Sequence, residues 1–216
     1  MADLPIDRIK TSTPPFFQTG VDFFGPIEVK ILGSRIKRWG CIFTCLTTRA
    51  VHLEVAPSLS TDDFINVLER FINRRCNPDF ILSDCGTNFQ GTTNELKREL
   101  ERMDQMKIDQ SMRRRSITWK FNPPNAPYMG GAWERLVRSV KTSLKVILAD
   151  QSVSDFTPIT VFTEVEALAT SRRLTNLSDD VNDLEPLTQS HFLIGRASNN
   201  LQPCVIYEKE MTFRKR

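Results

Sequence analysis

The sequence predicts an α/β domain in which a mixed sheet is flanked by helices. Residues 19–57 are rich in aromatic and β-branched residues, residues 78–84 form a short apolar run between turn residues, and later stretches repeat apolar residues at helical spacing. The first two patterns are typical of strands and the third is typical of amphipathic helices. A strand meander followed by alternating helices and strands predicts a layered α/β domain.

The first half of the chain contains a predicted meander and one helix. The stretches "TGVDFFGPIEVKI" and "KRWGCIFTCLTTRAVHLEVAP", broken at Gly25-Pro26 and at "LGSR", predict about three antiparallel strands. Ser60 is predicted to cap a helix that ends near Arg75, because Asp63 follows three positions later. The predicted inward residues of this helix are Phe64, Leu68, Phe71 and Ile72.

The second half alternates predicted strands and helices. "PDFILSD", residues 78–84, predicts a strand buried on both faces, and "SITWKFNPP" predicts another strand. Residues 92–115 have a helix-forming but polar composition, so we expect an exposed helical segment, and a further helix is predicted over residues 133–148. The last helix is predicted to have Thr157 as its N-cap and Pro158 at its first position. Its predicted inward residues are Ile159, Phe162, Val165 and Leu168.

Composition narrows the class of protein. The 216 residues, 40% of them hydrophobic, are enough to bury the core of one main domain. The five cysteines are odd in number and form no CxxC pair, which argues against a disulfide framework and a zinc ribbon, and Cys41 and Cys45 are expected to be small buried hydrophobes. No run approaches the ~18 apolar residues of a membrane helix, and no signal-peptide core is present. We therefore expect a soluble intracellular protein.

Charge is distributed unevenly along the chain. The net charge is only +3, but twelve Lys or Arg face five Asp or Glu between Lys97 and Lys145. Such an excess predicts either attraction to phosphate groups or an ordinary solvated helix face.

Two aspartates occupy unusual positions. Asp22 interrupts the apolar stretch "VDFF" inside a predicted strand, where an unpaired acid would cost several kcal/mol. Asp84 is predicted at the carboxyl end of the buried strand, the edge at which open α/β sheets place reactive groups. If the two strands are neighbours, the two carboxylates lie side by side and a divalent cation would relieve their repulsion. The alternative for Asp84 is an ordinary turn residue beside Gly86.

Glu134 is the third candidate acid. Three basic residues follow it at plus four, seven and eleven, so all four side chains are predicted to project from one stripe of the helix. These basic residues are Arg138, Lys141 and Lys145, and the neighbouring apolar stripe contains Val137, Val140, Leu144 and Leu148. The pattern predicts a carboxylate at a metal with cations along a phosphate backbone, or else a salt-bridged helix surface.

The predicted donor set contains only carboxylate oxygens. Asp22, Asp84 and Glu134 therefore favour Mg²⁺ or Mn²⁺ over zinc. Two such ions suit in-line attack at a phosphodiester without a separate general base. The two histidines, His52 and His191, are accordingly predicted to be structural.

Five segments resemble one known family. "TGVDFFGPI", "CLTTRAVHLEVA", "FILSDCGTNFQG", "FNPPNAPYMGGAWERLVRSVKTSL" and "LEPLTQSHFLIGR" together resemble the integrase catalytic core of Pao/BEL-type LTR retrotransposons, which is related to retroviral integrases. The resemblance covers residues 4–196, and the five motifs occur in the family's order. It implies an RNase H-like fold with a mixed five-stranded sheet, and a D,D,E triad formed by Asp22, Asp84 and Glu134.

The same resemblance implies a function. It implies Mg²⁺-dependent or Mn²⁺-dependent removal of terminal nucleotides from element DNA, with two ions, followed by strand transfer of the new 3′-hydroxyl into target DNA. It also implies a homodimer or higher oligomer and a nuclear site of action, with a cytoplasmic phase in a retroelement particle. Arg138 and Lys141 match positions that contact the DNA end in relatives, and Asn88 matches a small polar residue near target DNA. Residues 122–131 match the mobile active-site loop, whose notable members are Asn125, Tyr128, Gly130 and Gly131.

Some features depart from the family pattern. Forty-nine residues separate Asp84 from Glu134, more than is typical of retroviral integrases, and the excess is assigned to the basic segment 97–115. Cys85 stands where relatives often have a polar residue. The predicted organisation is a lead-in over 1–15, a catalytic core over 16–175 and a C-terminal extension over 176–216.

Two other functions remain open from the sequence. One is a catalytically silent or domesticated DNA-binding or oligomerisation module derived from an integrase. The other is a ribonuclease H, which would need a fourth carboxylate on the first helix, and Glu69 is the candidate for it.

Overall fold

A computed structural model describes residues 13–83, 94–121, 127–148, 153–175 and 186–197. These ranges contain strands β1 to β6 and helices α1 to α6. The strands are β1 Gln18–Ile31, β2 Ser34–Cys45, β3 Val51–Ala56, β4 Phe80–Ser83, β5 Thr118–Phe121 and β6 Val153–Ser154. The helices are α1 Thr61–Arg74, α2 Asn94–Glu101, α3 Gln105–Arg114, α4 Pro127–Leu148, α5 Thr157–Thr170 and α6 Gln189–Ile194.

The sheet is mixed and runs in the order β3-β2-β1-β4-β5. The meander β1, β2 and β3 is antiparallel, whereas β4 and β5 continue the sheet in parallel with β1. The two-residue strand β6 pairs with the far end of β1, at Val29 and Lys30. The predicted five-stranded mixed sheet and the RNase H-like α/β fold are confirmed.

β1 is not broken at Gly25-Pro26, contrary to the prediction. The strand continues to Ile31, and its register against β2 shifts between Phe24 and Ile27. Gly25 has φ +131°, which a side chain disfavours, and an added Cβ would lie 3.0 Å from the Trp39 ring. Glycine and proline thus mark a local irregularity of the ladder and not its end.

One face of the sheet is covered by α1, α2 and α3. The Ser60 side chain accepts a hydrogen bond from Asp63 N at 3.1 Å, which confirms the predicted cap. Phe64, Leu68, Phe71 and Ile72 are buried as predicted, and Val67 joins them. The polar segment 92–115 forms two helices instead of one, because Asp104 caps a new helix by accepting from Lys107 N. These helices anchor to the core through Leu96, Met103, Ile108 and Met112.

The opposite face is covered by α4 and α5. Leu136, Val137, Val140 and Leu144 of α4 are buried in a cluster with Val161, Phe162 and Val165 of α5, and Leu148 packs against it. The predicted apolar stripe of α4 is therefore confirmed. The helix begins at Pro127, six residues earlier than predicted.

The prediction for α5 was partly wrong. Phe156 occupies the N-cap and Thr157 is the first helical residue. Phe162 and Val165 are buried, but Ile159 and Leu168 are 49% and 45% exposed. Val161 takes the inward position because almost every side of this helix carries apolar residues, so periodicity alone does not define its buried face.

α6 lies within the predicted C-terminal extension and contacts the end of α5. Ser190 Oγ donates to Thr170 O at 3.1 Å, and Leu174 N donates to Leu187 O at 2.7 Å. The domain boundaries at residues 15 and 175 stay predictions. Among the helices of the described ranges, none is long and apolar enough to cross a membrane.

Candidate active site beside strand β1 at the carboxyl end of strand β4

Asp22 is a half-buried residue of β1 on the sheet face that α4 covers. Side chains alternate between the two faces of a strand. Val21 and Phe23 belong to the cluster beneath α1, and Phe24 belongs to the cluster beneath α4. Asp22 therefore shares the face of Phe24 and α4. The N–H of Phe23 donates to Asp22 Oδ1 at 2.8 Å, which helps to orient the carboxylate.

The pairing of β1 with β4 places the residue before Asp84 next to the residue before Asp22. In this parallel pair, Val21 is opposite Ser83. Val21 immediately precedes Asp22, and Ser83 immediately precedes Asp84. The two strands are thus neighbours, which is the condition under which the two carboxylates were expected side by side. Asp84 and Asn88 themselves lie outside the described residues.

Trp119 is a residue at this end of the sheet that sequence reasoning missed. Its Nε1–H donates to Ser83 Oγ at 2.7 Å, and its ring packs edge-on against Phe64 at 5.4 Å between centroids. The indole thereby holds the last residue before Asp84 against α1. The only sequence signal was a large aromatic residue in the short strand before the loop, which does not reveal its partner.

α4 carries the third candidate acid and the predicted cations. Glu134 belongs to the helix, and its side chain lies outside the described part of the chain. Arg138, Lys141 and Lys145 are exposed, while Val137 and Val140 between them are buried. Within the described residues, none of the three cations forms an ion pair. The salt-bridged alternative, in which Glu134 would pair with these cations, stays a prediction.

Part of the predicted active-site loop is helical. Tyr128, Gly130 and Gly131 belong to α4, so the prediction that the loop extends to residue 131 was wrong. The reason is that α4 begins at a proline, a residue whose fixed φ suits the first turn of a helix despite the glycines that follow. Asn125 lies outside the described residues.

The negative charge of Asp22 affects the buried thiol of Cys41 on the neighbouring strand β2. Burial raises the pKa of the Cys41 thiol, and the nearby charges of Asp22 and Glu54 raise it further. Cys41 and Cys45 are fully buried, as predicted for small hydrophobic residues.

Of the three candidate metal ligands, Asp22 has its side chain in the described part of the chain. Among the described side chains, no group of three or more His, Cys, Asp or Glu residues could hold a metal ion. That set includes Asp22 but not the side chains of Asp84 and Glu134. The carboxylate of Asp22, on the α4 face, is a hard oxygen donor of the kind that Mg²⁺ and Mn²⁺ prefer.

The remaining candidates have structural partners. His52 is buried between Glu54 and Glu166, and His191 forms a capping box at the start of α6 with Thr188, which agrees with the structural roles predicted for both. Glu69 lies on α1, which covers the face of the sheet opposite to Asp22. Its Oε1 accepts a hydrogen bond from Arg115 Nε at 2.9 Å.

Comparisons with known proteins support the fold. No protein-family model matches the chain, and no curated protein sequence matches it. A chain in the cryo-electron-microscopy structure of the simian T-cell lymphotropic virus intasome, in complex with PP2A regulatory subunit B56 gamma, is similar with a TM-score of 0.55. The two chains are 15% identical, and the similarity covers 94% of this chain and 62% of that chain. The present chain therefore spans less than two thirds of that protein's length.

Proposed function

We propose that the chain is the catalytic domain of an integrase, a divalent-metal-dependent polynucleotidyl transferase acting on DNA. The observation that carries the proposal is the pairing of Val21 with Ser83, because each residue directly precedes one of the two candidate acids. Residues that follow a paired position in neighbouring parallel strands lie side by side, so Asp84 is expected beside Asp22 at the point where β4 ends. Asp22 also shares its face of the sheet with α4, which contains Glu134.

In this proposal Asp22, Asp84 and Glu134 would hold one or two Mg²⁺ or Mn²⁺ ions. Such ions, when bound, activate an attacking oxygen and stabilise a leaving oxygen at a phosphodiester. The exposed Arg138, Lys141 and Lys145 would bind the DNA backbone through charge-assisted contacts to phosphate. By resemblance, Asn88 stays a candidate DNA contact and Asn125 stays a candidate residue of the active-site loop.

The proposed reaction has two steps. In 3′-end processing, a water oxygen bonds to phosphorus and the 3′-oxygen of the element strand leaves as a hydroxyl. In strand transfer, that hydroxyl oxygen bonds to a target phosphorus and the target 3′-oxygen leaves. The finer assignment to Pao/BEL-type retrotransposons rests on the five motifs, as do the homo-oligomer and the nuclear site of action.

The proposal is tested with purified chain, labelled branched DNA and Mn²⁺. We expect nicking, joining or reversal of strand transfer by the natural sequence, and loss of all three in Asp22→Asn, Asp84→Asn and Glu134→Gln. Activity that is absent from the natural sequence, or equal in Asp84→Asn, would contradict the proposal.

A second candidate is a catalytically silent DNA-binding or oligomerisation module. It is favoured by the exposed cations of α4, which form no ion pair within the described residues. This candidate predicts DNA binding with a steep salt dependence and no metal requirement. A metal-dependent DNA product would exclude it.

A ribonuclease H activity is less well supported. Its candidate fourth carboxylate, Glu69, lies on α1, which covers the face of the sheet opposite to Asp22. There it forms an ion pair with Arg115. Cleavage of an RNA–DNA hybrid that is lost in Glu69→Gln would restore this candidate.

A further inference from the structure

Lys120 lies level with the residues that precede the candidate acids. Gly20 of β1 is opposite Leu82 of β4, and Leu82 is opposite Lys120 of β5. These three residues form one row across the sheet, two positions before Asp22 in β1. Because neighbouring strands are about 4.8 Å apart, Lys120 lies roughly 10 Å from β1 along this row.

Lys120 also lies on the face that carries Asp22. Its Nζ is 4.1 Å from the centre of the Phe80 ring, and Phe80 belongs to the cluster beneath α4. Leu82, directly opposite Lys120, packs against the same cluster. The ammonium group is therefore held at the border of this cluster, beside the proposed site and not on the far face.

The ring orients this cation without neutralising it. A cation over an aromatic face is attracted by the ring quadrupole, which carries no net charge. Lys37 and Lys107 are instead paired with Glu95 and Asp62 at 2.7 and 2.6 Å. Within the part of the chain that the structure describes, Lys120 forms no ion pair, and its side chain is exposed.

We propose that Lys120 binds a backbone phosphate of the nucleic acid that enters the site between β5 and α4. This inference rests on the proposed function and adds a contact from the sheet to those from α4. An ammonium that is oriented but not neutralised can approach a phosphate without first breaking an ion pair. The contact is independent of sequence, since it involves only the phosphate.

The test measures binding of fluorescent duplex DNA with a single-stranded end by anisotropy, between about 50 and 200 mM salt. Lys120→Gln is expected to weaken binding and to reduce the slope of log K against log salt by about 0.7 to 0.9. Lys120→Arg should retain the slope of the natural sequence. Lys30→Gln is the matched control, because Lys30 is an exposed lysine of β1 paired with β6, far along the strand from Asp22.

The outcomes separate this inference from the proposed function. Equal slopes for Lys120→Gln, Lys30→Gln and the natural sequence would overturn the role of Lys120, while leaving metal-dependent cleavage as the test of the proposed function. A lower slope in Lys120→Gln together with an unchanged thermal unfolding midpoint would support phosphate binding over a role in covering Phe80. Equal loss in Lys120→Gln and Lys120→Arg would overturn a charge-based contact. DNA binding that is absent from the natural sequence would overturn both proposals.

Discussion

Charged side chains are arranged in opposite ways at the two sides of the sheet. At the edge strand β3, an edge network of His52, Glu54, Arg70, Arg74, Arg75 and Glu166 satisfies its charges internally. Near β5 and on α4, Lys120, Arg138, Lys141 and Lys145 are exposed, and in the described ranges they form no ion pair. Internal pairing stabilises a fold, whereas unpaired cations are available to another molecule. The edge network therefore stabilises the fold, whereas the exposed cations near β5 and on α4 can bind phosphate groups of another molecule.

The edge network closes the open side of β3. Glu54, 6% exposed, accepts from Arg70 Nε at 2.7 Å and from Arg74 Nη1 at 3.1 Å. Glu166 on α5 reaches around the sheet edge, accepts from Leu53 N at 2.9 Å and pairs with Arg75. A free strand edge is a template for unwanted pairing, and this acid covers one of its N–H groups.

The largest expected effect comes from breaking the edge network. Glu54→Gln should lower the free energy of unfolding by about 3 kcal/mol, because the buried carboxylate loses charge-assisted hydrogen bonds from Arg70 and Arg74, which a neutral amide accepts more weakly. Urea unfolding measures this change. Glu28→Gln is the control, since its pair with Arg35 is exposed and should contribute at most about 1 kcal/mol. An equal loss of unfolding free energy in Glu54→Gln and Glu28→Gln would show that the edge network stabilises the fold no more than an exposed ion pair does.

The next effect concerns the candidate site. Asp22→Asn should reduce metal-dependent DNA cleavage by at least about a hundredfold, since even groups that only support metal ligands typically contribute 10-fold to 100-fold. Its unfolding free energy should fall far less than that of Glu54→Gln. Asp62→Asn, an exposed acid paired with Lys107, should retain activity. A cleavage rate unchanged in Asp22→Asn would place the site elsewhere.

A smaller effect is expected from Trp119→Phe. This variant keeps the ring that packs on Phe64 but removes the donor to Ser83 Oγ. A hydrogen bond of this kind contributes about 1 kcal/mol, so we expect a roughly fivefold loss of activity with a shifted Mn²⁺ dependence. Combining it with Ser83→Ala should add little to either single change. Additive losses, or an unaltered Mn²⁺ dependence, would show that the indole acts only through packing.

The pH dependence of stability is the smallest expected effect and belongs to the edge network. Burial opposes the charged form of His52, but its hydrogen bonds to Glu166 and Glu54 outweigh this, so its pKa is raised. Burial likewise opposes ionised Glu54 and Glu166, but hydrogen bonds from His52 and contacts with Arg70 and Arg75 lower the pKa of each acid. The contribution of His52 is therefore complete below its unfolded pKa of about 6.5 and is lost as pH rises through its folded pKa.

The acids act in the opposite direction. Their contribution is complete above the unfolded pKa of about 4.3 and is lost as pH falls through their folded pKa values. Urea unfolding should therefore find the network strongest between about pH 4.3 and 6.5. His52→Gln should remove the decline above this range and leave the acidic decline. A decline toward alkaline pH that persists in His52→Gln would assign it to another group.

Local patterns in the sequence were sufficient for elements whose signals lie within one segment. Ser60 and Asp63 are three residues apart, so the cap of α1 and its buried residues follow from a single turn of helix. α4 has a separated apolar and basic stripe, so its buried side was predictable even though its first residue was not. α5 lacks this separation, and its packing partner Phe24 on β1 decided which side faces inward.

The sequence by itself determined the meander, the buried strand β4, the cap of α1 and the identity of the candidate acids. Only the tertiary structure decided that Val21 lies opposite Ser83, that Trp119 holds Ser83, and that Lys120 lies over Phe80. It also decided that Glu166 on α5 covers the edge of β3. The physical reason is distance along the chain: short-range periodicity records which face of an element is apolar, but not which remote element will cover that face. The parallel pairing of β1 with β4 joins segments about sixty residues apart, and that choice is made by packing across the whole sheet.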